Sequence, residues 1–110
     1  MINETPNLEY LEQLAAGDPK VRQTIFDVMA KEYFAGYQEY KAAIAQNDVK
    51  KSITFVHRLK HKIGFLGMEY SYQIAHRYEE ELRRNSNRFQ SEFESVLLKI
   101  QEFINSTPSL

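Results

Sequence analysis

Apolar residues recur along this chain at intervals of three and four, and nowhere form a period-two run bounded by turn residues, so the pattern predicts helices throughout. A short helix from Leu8 to Ala15 places Leu8, Leu11 and Leu14 or Ala15 on one side, and Gly17 ends it in the left-handed conformation. Asp18-Pro19 opens a long second helix, because Asp caps a helix N-terminus and Pro suits the first helical position. Its stripe is Val21, Ile25, Val28, Met29, Gly36, Tyr40 and Ile44, broadened by Phe26, Tyr33, Phe34 and Tyr37, and it breaks at Gln46-Asn47-Asp48. Asp48 caps a third helix that runs to about Leu66, where Gly67 permits a tight reversal. The fourth helix follows with Met68, Tyr72, Ala75, Tyr78 and Leu82 as its stripe and Arg83-Arg84 near its end. After Asn85-Ser86-Asn87, a fifth carries Phe89, Phe93, Val96, Leu97, Ile100 and Ile104, before a frayed tail from Ser106 to Leu110. Short connections make neighbours antiparallel, so the expected fold is all-α: an up-down, antiparallel four-helix bundle with a short extra N-terminal helix.

The length of 110 residues supports one core and one domain, 1–110, with packed structure over about 8–104. The chain has no cysteine, which excludes disulfides, thiolate zinc sites and a thiol nucleophile. A formal net charge of −1 gives it no overall attraction to nucleic acid. The opening Met1-Ile2-Asn3-Glu4-Thr5-Pro6 lacks the basic start and apolar run of a signal peptide, and no segment has the length of a membrane span; a cytoplasmic protein without membrane contact is expected. Seven Tyr and seven Phe fall on or beside the stripes and are expected to fill the core, with Tyr33, Tyr40, Tyr72 and Tyr78 keeping their hydroxyls at its edge.

The chemistry concentrates in His57-Arg58-Leu59-Lys60-His61-Lys62-Ile63-Gly64. At about 100° per residue, Phe55, Leu59, Ile63 and Leu66 share one side of the third helix while His57, Lys60, His61 and Gly64 share the other. A solvent-facing imidazole with a pKa of about 6.5 is largely neutral at pH 7 and can accept a phosphoryl group, with Lys60 supplying counter-charge one turn away. No phosphate-cradling glycine loop, nucleotide signature or Asp pair for magnesium is present, so a partner must bring both phosphoryl group and metal. His57 and His61 have a spacing that can hold zinc, but Lys60 beside them and the lack of a following Glu argue against a metal site. Ile53 and Gly64 flank His57 as a landing surface, although Ile53 can equally pack under the first helix; Arg58 and Lys62 form a basic edge that can steer an acidic partner.

These residues resemble the histidine-containing phosphotransfer domains of multistep phosphorelays, whose core motif is similar to His-x-Leu-Lys-Gly-x-x-x-x-Leu-Gly. His57, Leu59, Lys60, Leu66 and Gly67 match it in register. Ala16-Gly17-Asp18 looks like the family's Gly-Gly-Asp start of its long helix, Asn47-Asp48 sits where Gly-Asp commonly precedes the histidine helix, and Glu79-Glu80-Glu81 resembles the acidic end of the next. The resemblance covers about residues 8–104. It implies that His57 is the phosphorylated residue and Lys60 its phosphate-stabilising companion. It also implies a monomeric carrier that receives the phosphoryl group from the phospho-aspartate of one receiver domain, in a response regulator or hybrid histidine kinase, and hands it to another. The carrier has no cofactor or kinase site of its own, and magnesium comes with the receiver. The chain departs from the pattern at His61, where the family usually has glycine, and at Lys62, usually a small residue. A ring at position 61 either obstructs a docking receiver or hydrogen-bonds the phosphoryl group. Obstruction would make the chain a helical adaptor that binds signalling partners without being phosphorylated.

Overall fold

A computed structural model describes residues 4–107, and within them every regular element is helical: α1 (Glu9–Ala15), α2 (Pro19–Ala45), α3 (Val49–Phe65), α4 (Glu69–Arg83) and α5 (Gln90–Ser106). The helices pack in a bundle-like arrangement around one cluster of buried side chains, with α3 lying against both α2 and α4. The predicted caps are in place. The Asp18 carboxylate accepts from the backbone N–H of Lys20 and Val21, and that of Asp48 from Lys51. Gly67 turns the chain between α3 and α4 at φ +75°, a conformation that favours glycine, and a Cβ there would also displace the Asn7 carboxamide. Of the expected tail, Ser106 still belongs to α5, and Pro108, Ser109 and Leu110 lie outside the described residues, as do Met1, Ile2 and Asn3.

The core differs from the sequence expectation on α2 and in the tyrosines, and decides an open choice on α1. On α2 the inner face is Phe26, Met29, Tyr33, Tyr37, Tyr40 and Ala43, whereas Val21 and Val28 are exposed. The rings set the rotation of this helix because they bury far more apolar area than a valine does. On α1, Leu11 is buried as expected, and of the two alternatives for its last inward position Ala15 is the buried one and Leu14 is exposed. Tyr33, Tyr40 and Tyr78 are wholly inside, so their hydroxyls find partners within the protein instead of at the edge. Tyr33 donates to the Leu97 carbonyl at 2.6 Å, and Tyr40 to the Glu94 carboxylate at 2.7 Å. With the Tyr40 proton engaged there, Tyr78 donates to the Tyr40 oxygen across 2.9 Å. The Tyr40, Tyr78 and Phe93 rings meet at centroid distances of 5.1–6.4 Å, which joins α2, α4 and α5.

Helix α4 carries no side-chain cap of its own at Met68. Glu4, far away in sequence, takes that role: its two carboxylate oxygens accept from the backbone N–H of Tyr70 and Ser71, each at 2.7 Å. Lys99 on α5 donates to the Glu4 carbonyl, and the Asn7 N–H to the carbonyl of Leu66, so residues 4–7 strap the α3–α4 turn to α5. Partial burial pushes the Glu4 carboxyl upward, but the Tyr70 and Ser71 donors outweigh it and hold the group below its ordinary value. Glu4→Ala should therefore cost about 1 kcal/mol, as loss of a helix cap does. Because the folded value is the lower one, the contribution is complete above the ordinary carboxyl range and is lost as pH falls through the folded value. Urea unfolding of both proteins at neutral pH and in acid checks this: the two midpoints should converge in acid.

Candidate functional site

Helix α3 is wedged between α2 and α4, and a helix with two neighbours must bury a wider arc than its apolar stripe supplies. The buried residues are Ser52, Val56, Leu59, Lys60 and Ile63, which rotates the inner face away from the expected Phe55 side and brings Lys60 under α4. The placement of Lys60 on the solvent side is thus corrected: only 6% of its side chain is exposed. Such a charge needs a partner. Glu79 of α4, with 7% of its side chain exposed, supplies it, with Lys60 Nζ 3.1 Å from Glu79 Oε1.

The Glu79 carboxylate is shared. Arg83, one turn on, donates from Nη2 to Oε2 at 2.9 Å, and His57 Nδ1 lies 3.1 Å from Oε1 and 3.3 Å from Oε2. Burial pushes the Glu79 carboxyl upward, but hydrogen bonds from Arg83, Lys60 and His57 together hold it below the usual carboxylate range. An ionised carboxylate only accepts hydrogen bonds, so the proton of neutral His57 resides on Nδ1 and the lone pair on Nε2. The His57 side chain is 51% exposed. Its Nε2 lies 3.2 Å from Nε2 of His61, the rings meeting edge to face at 83°. With the His57 lone pair fixed, His61 must be the donor across this contact. Partial burial, then the neighbouring charges of His57, Lys60 and Lys62, lower the His61 pKa against a smaller opposing pull from Glu79, which favours the neutral ring.

Other predicted residues fall around this centre. Gly64 lies close against α4: a Cβ there would sit 3.1 Å from Tyr72 Cδ2. The absent side chain lets the Tyr72 ring lie 5.6 Å from Lys60 Nζ, a cation–π contact that adds to the ion pair. Tyr72 is partly buried, as a boundary tyrosine should be. Ile53 is also partly buried and packs against the core, so little of it remains for a landing surface. Arg58 is exposed, stacks over Phe55 and, with Lys62 and His61, borders a groove of about 480 Å³ floored by Gly36 and Leu59. Lys62 is paired with Glu32 at 2.8 Å.

Glu79, Arg83 and His76 are the residues around His57 to which the sequence reading gave no role at the site; His76, beside the stripe of the fourth helix, was expected to be structural or solvated. His76 Nδ1 faces Lys60 Nζ at 3.5 Å, and its Nε2 faces Glu80 at 3.6 Å. A signal for Glu79 existed: it lies four residues after Ala75 and three before Leu82, on the edge of the α4 stripe, where a carboxylate demands a buried cation. No group of three or more His, Cys, Asp or Glu able to hold a metal occurs among the described residues, and no described helix is long and apolar enough to cross a membrane. Comparison of the chain with family models, curated proteins and solved structures finds no match in any of the three.

Removing one partner of a buried pair strands the other charge, so Glu79→Met should lower stability by about 3–5 kcal/mol, and adding Lys60→Met should restore most of it. Since Glu79 is depressed in the folded state, its contribution is present above the ordinary carboxyl range and fades as pH falls through the folded value. Chemical unfolding of the single and double variants checks the energies. Imidazole ¹⁵N shifts should report His57 protonated at Nδ1, and Glu79→Met should shift the tautomer balance toward Nε2–H.

Proposed function

We propose that this chain is a phosphorelay carrier of the histidine-containing phosphotransfer type, its four long helices forming an up-down antiparallel bundle with α1 added at the start. His57 accepts a phosphoryl group from the phospho-aspartate of a receiver domain and passes it to a second receiver. The observation that carries this reading is the ionised Glu79 behind a half-exposed His57, which fixes the Nδ1–H tautomer and leaves the Nε2 lone pair as nucleophile. A ring phosphorylated on Nε2 and protonated on Nδ1 is cationic, and the carboxylate 3.1 Å away balances it. Lys60 and Arg83 both pair with Glu79, so an incoming phosphoryl dianion does not meet a bare carboxylate behind the ring.

In this reading the receiver supplies magnesium and the in-line geometry, while the carrier supplies a held nucleophile and no hydrolytic or kinase site. Arg58, His61 and Gly64, with the exposed part of Ile53, form the surface on which the receiver docks, and the carrier acts as a cytoplasmic monomer. A second reading has a specific observation in its favour. His61 occupies the Nε2 side of His57, as it would in an adaptor that binds receivers without being phosphorylated.

Incubation with a panel of phosphorylated receiver domains and magnesium separates the two. The carrier acquires acid-labile, base-stable label on the wild type and none on His57→Gln, which retains the helical circular dichroism of the wild type. A folded wild type that takes label from no receiver, yet binds one equally well with and without His57→Gln, is the adaptor.

A further inference from the structure

We infer that His61 is a positioning residue whose Nε2–H caps the reactive lone pair of His57 in the free protein and turns to the phosphoryl oxygens once the N–P bond forms, drawing the transfer equilibrium toward phosphorylated His57. This rests on the phosphotransfer reading and concerns the same nitrogen. The contact responsible is the 3.2 Å separation of the two Nε2 atoms, one turn apart on α3. A hydrogen bond between neutral rings needs one donor and one acceptor. Glu79 has already determined which ring accepts, so His61 is the donor whenever both rings are neutral.

Transfer then proceeds with a simple exchange of partners. The His57 Nε2 electron pair attacks phosphorus, and the N–P bond forms as the P–O bond to the receiver's aspartate breaks. The electrons of that bond leave with the aspartate carboxylate, and the Nδ1 proton remains on the ring against Glu79. His61 loses its neutral acceptor at that moment, because the lone pair has become the N–P bond. Its ring is exposed and free to pivot about its own side-chain bonds, and three anionic oxygens now stand where the lone pair pointed. An N–H donor bound to a phosphoryl oxygen makes a charge-assisted bond, roughly twice as strong as one to a neutral nitrogen. The donor that guards the nucleophile therefore binds its product more tightly. The nearby cations do not substitute for it: Lys60 and Arg83 are directed at Glu79, and Lys62 at Glu32.

The test is the equilibrium ratio of labelled carrier to labelled receiver, approached from both directions with a receiver that labels the wild type. His61→Ala keeps the helix and removes the donor; the ratio should fall about five- to tenfold. His61→Gln returns an N–H donor at similar reach and should recover most of the loss, which a merely structural role for the ring would not produce. In the unphosphorylated protein, His61→Ala should also shift the ¹⁵N resonance of His57 Nε2 as its hydrogen bond is lost. An unchanged or increased ratio in His61→Ala, with the wild type labelled normally, overturns the role of His61 and leaves the carrier reading intact. A wild type that takes no label from any receiver overturns both.

Discussion

One carboxylate organises the contact between α3 and α4. Glu79 is buried, and a buried anion survives only if its lone pairs are filled by donors of opposite charge or strong polarity. It meets that requirement with Lys60, Arg83 and His57, and in doing so it ties two turns of α3 to two turns of α4. Each donor is fixed in return. The lysine is held inside against its preference for water, and the histidine ring is held in one tautomer. The close contact of Gly64 with Tyr72 and the position of Tyr72 over the lysine belong to the same arrangement, since the ring covers the cation that pairs with the shared carboxylate.

A charged network is an expensive way to join two helices. Continuum arguments hold that an apolar pair of similar shape often stabilises a fold as well or better. What the network provides is direction: a hydrocarbon contact at this point would leave the imidazole free to rotate and to exchange its proton between nitrogens. The fold thus gives up some stability at one place to specify which atom of His57 faces outward. Elsewhere both helices contribute conventional buried side chains to the common core, Leu59 and Ile63 from α3 and Ala75 and Tyr78 from α4.

The helices and their boundaries were legible because they rest on local signals. Asp18, Asp48 and Gly67 act through bonds to residues within a few positions, and a 3.6-residue period is visible without knowing what the stripe packs against. The rotation of each helix was less so. Val28 and Tyr33 are both apolar enough to mark a stripe, and only the competition for one shared core shows that the ring goes inside. Lys60 was misplaced for a related reason, since its burial depends on α3 having two neighbours and on a carboxylate 19 residues later. His57 and Lys60 were found from their types and spacing; Glu79, which arranges them, was noted only as part of the acidic run Glu79-Glu80-Glu81, because its pairing depends on how α3 and α4 meet.

The strap formed by residues 4–7 bears on how the site is assembled. Glu4 reaches the start of α4 across 66 positions of sequence, and Tyr40 reaches Tyr78 across 38. Helical proteins generally gain folding speed from short-range contacts, and every long closure delays the reward for the entropy it costs. Helix α4 is anchored at its start and its middle by such closures, and it brings Glu79 to His57. The surroundings of His57 therefore draw on segments far apart in the chain: Glu79 stands on a helix whose first turn is held by Glu4.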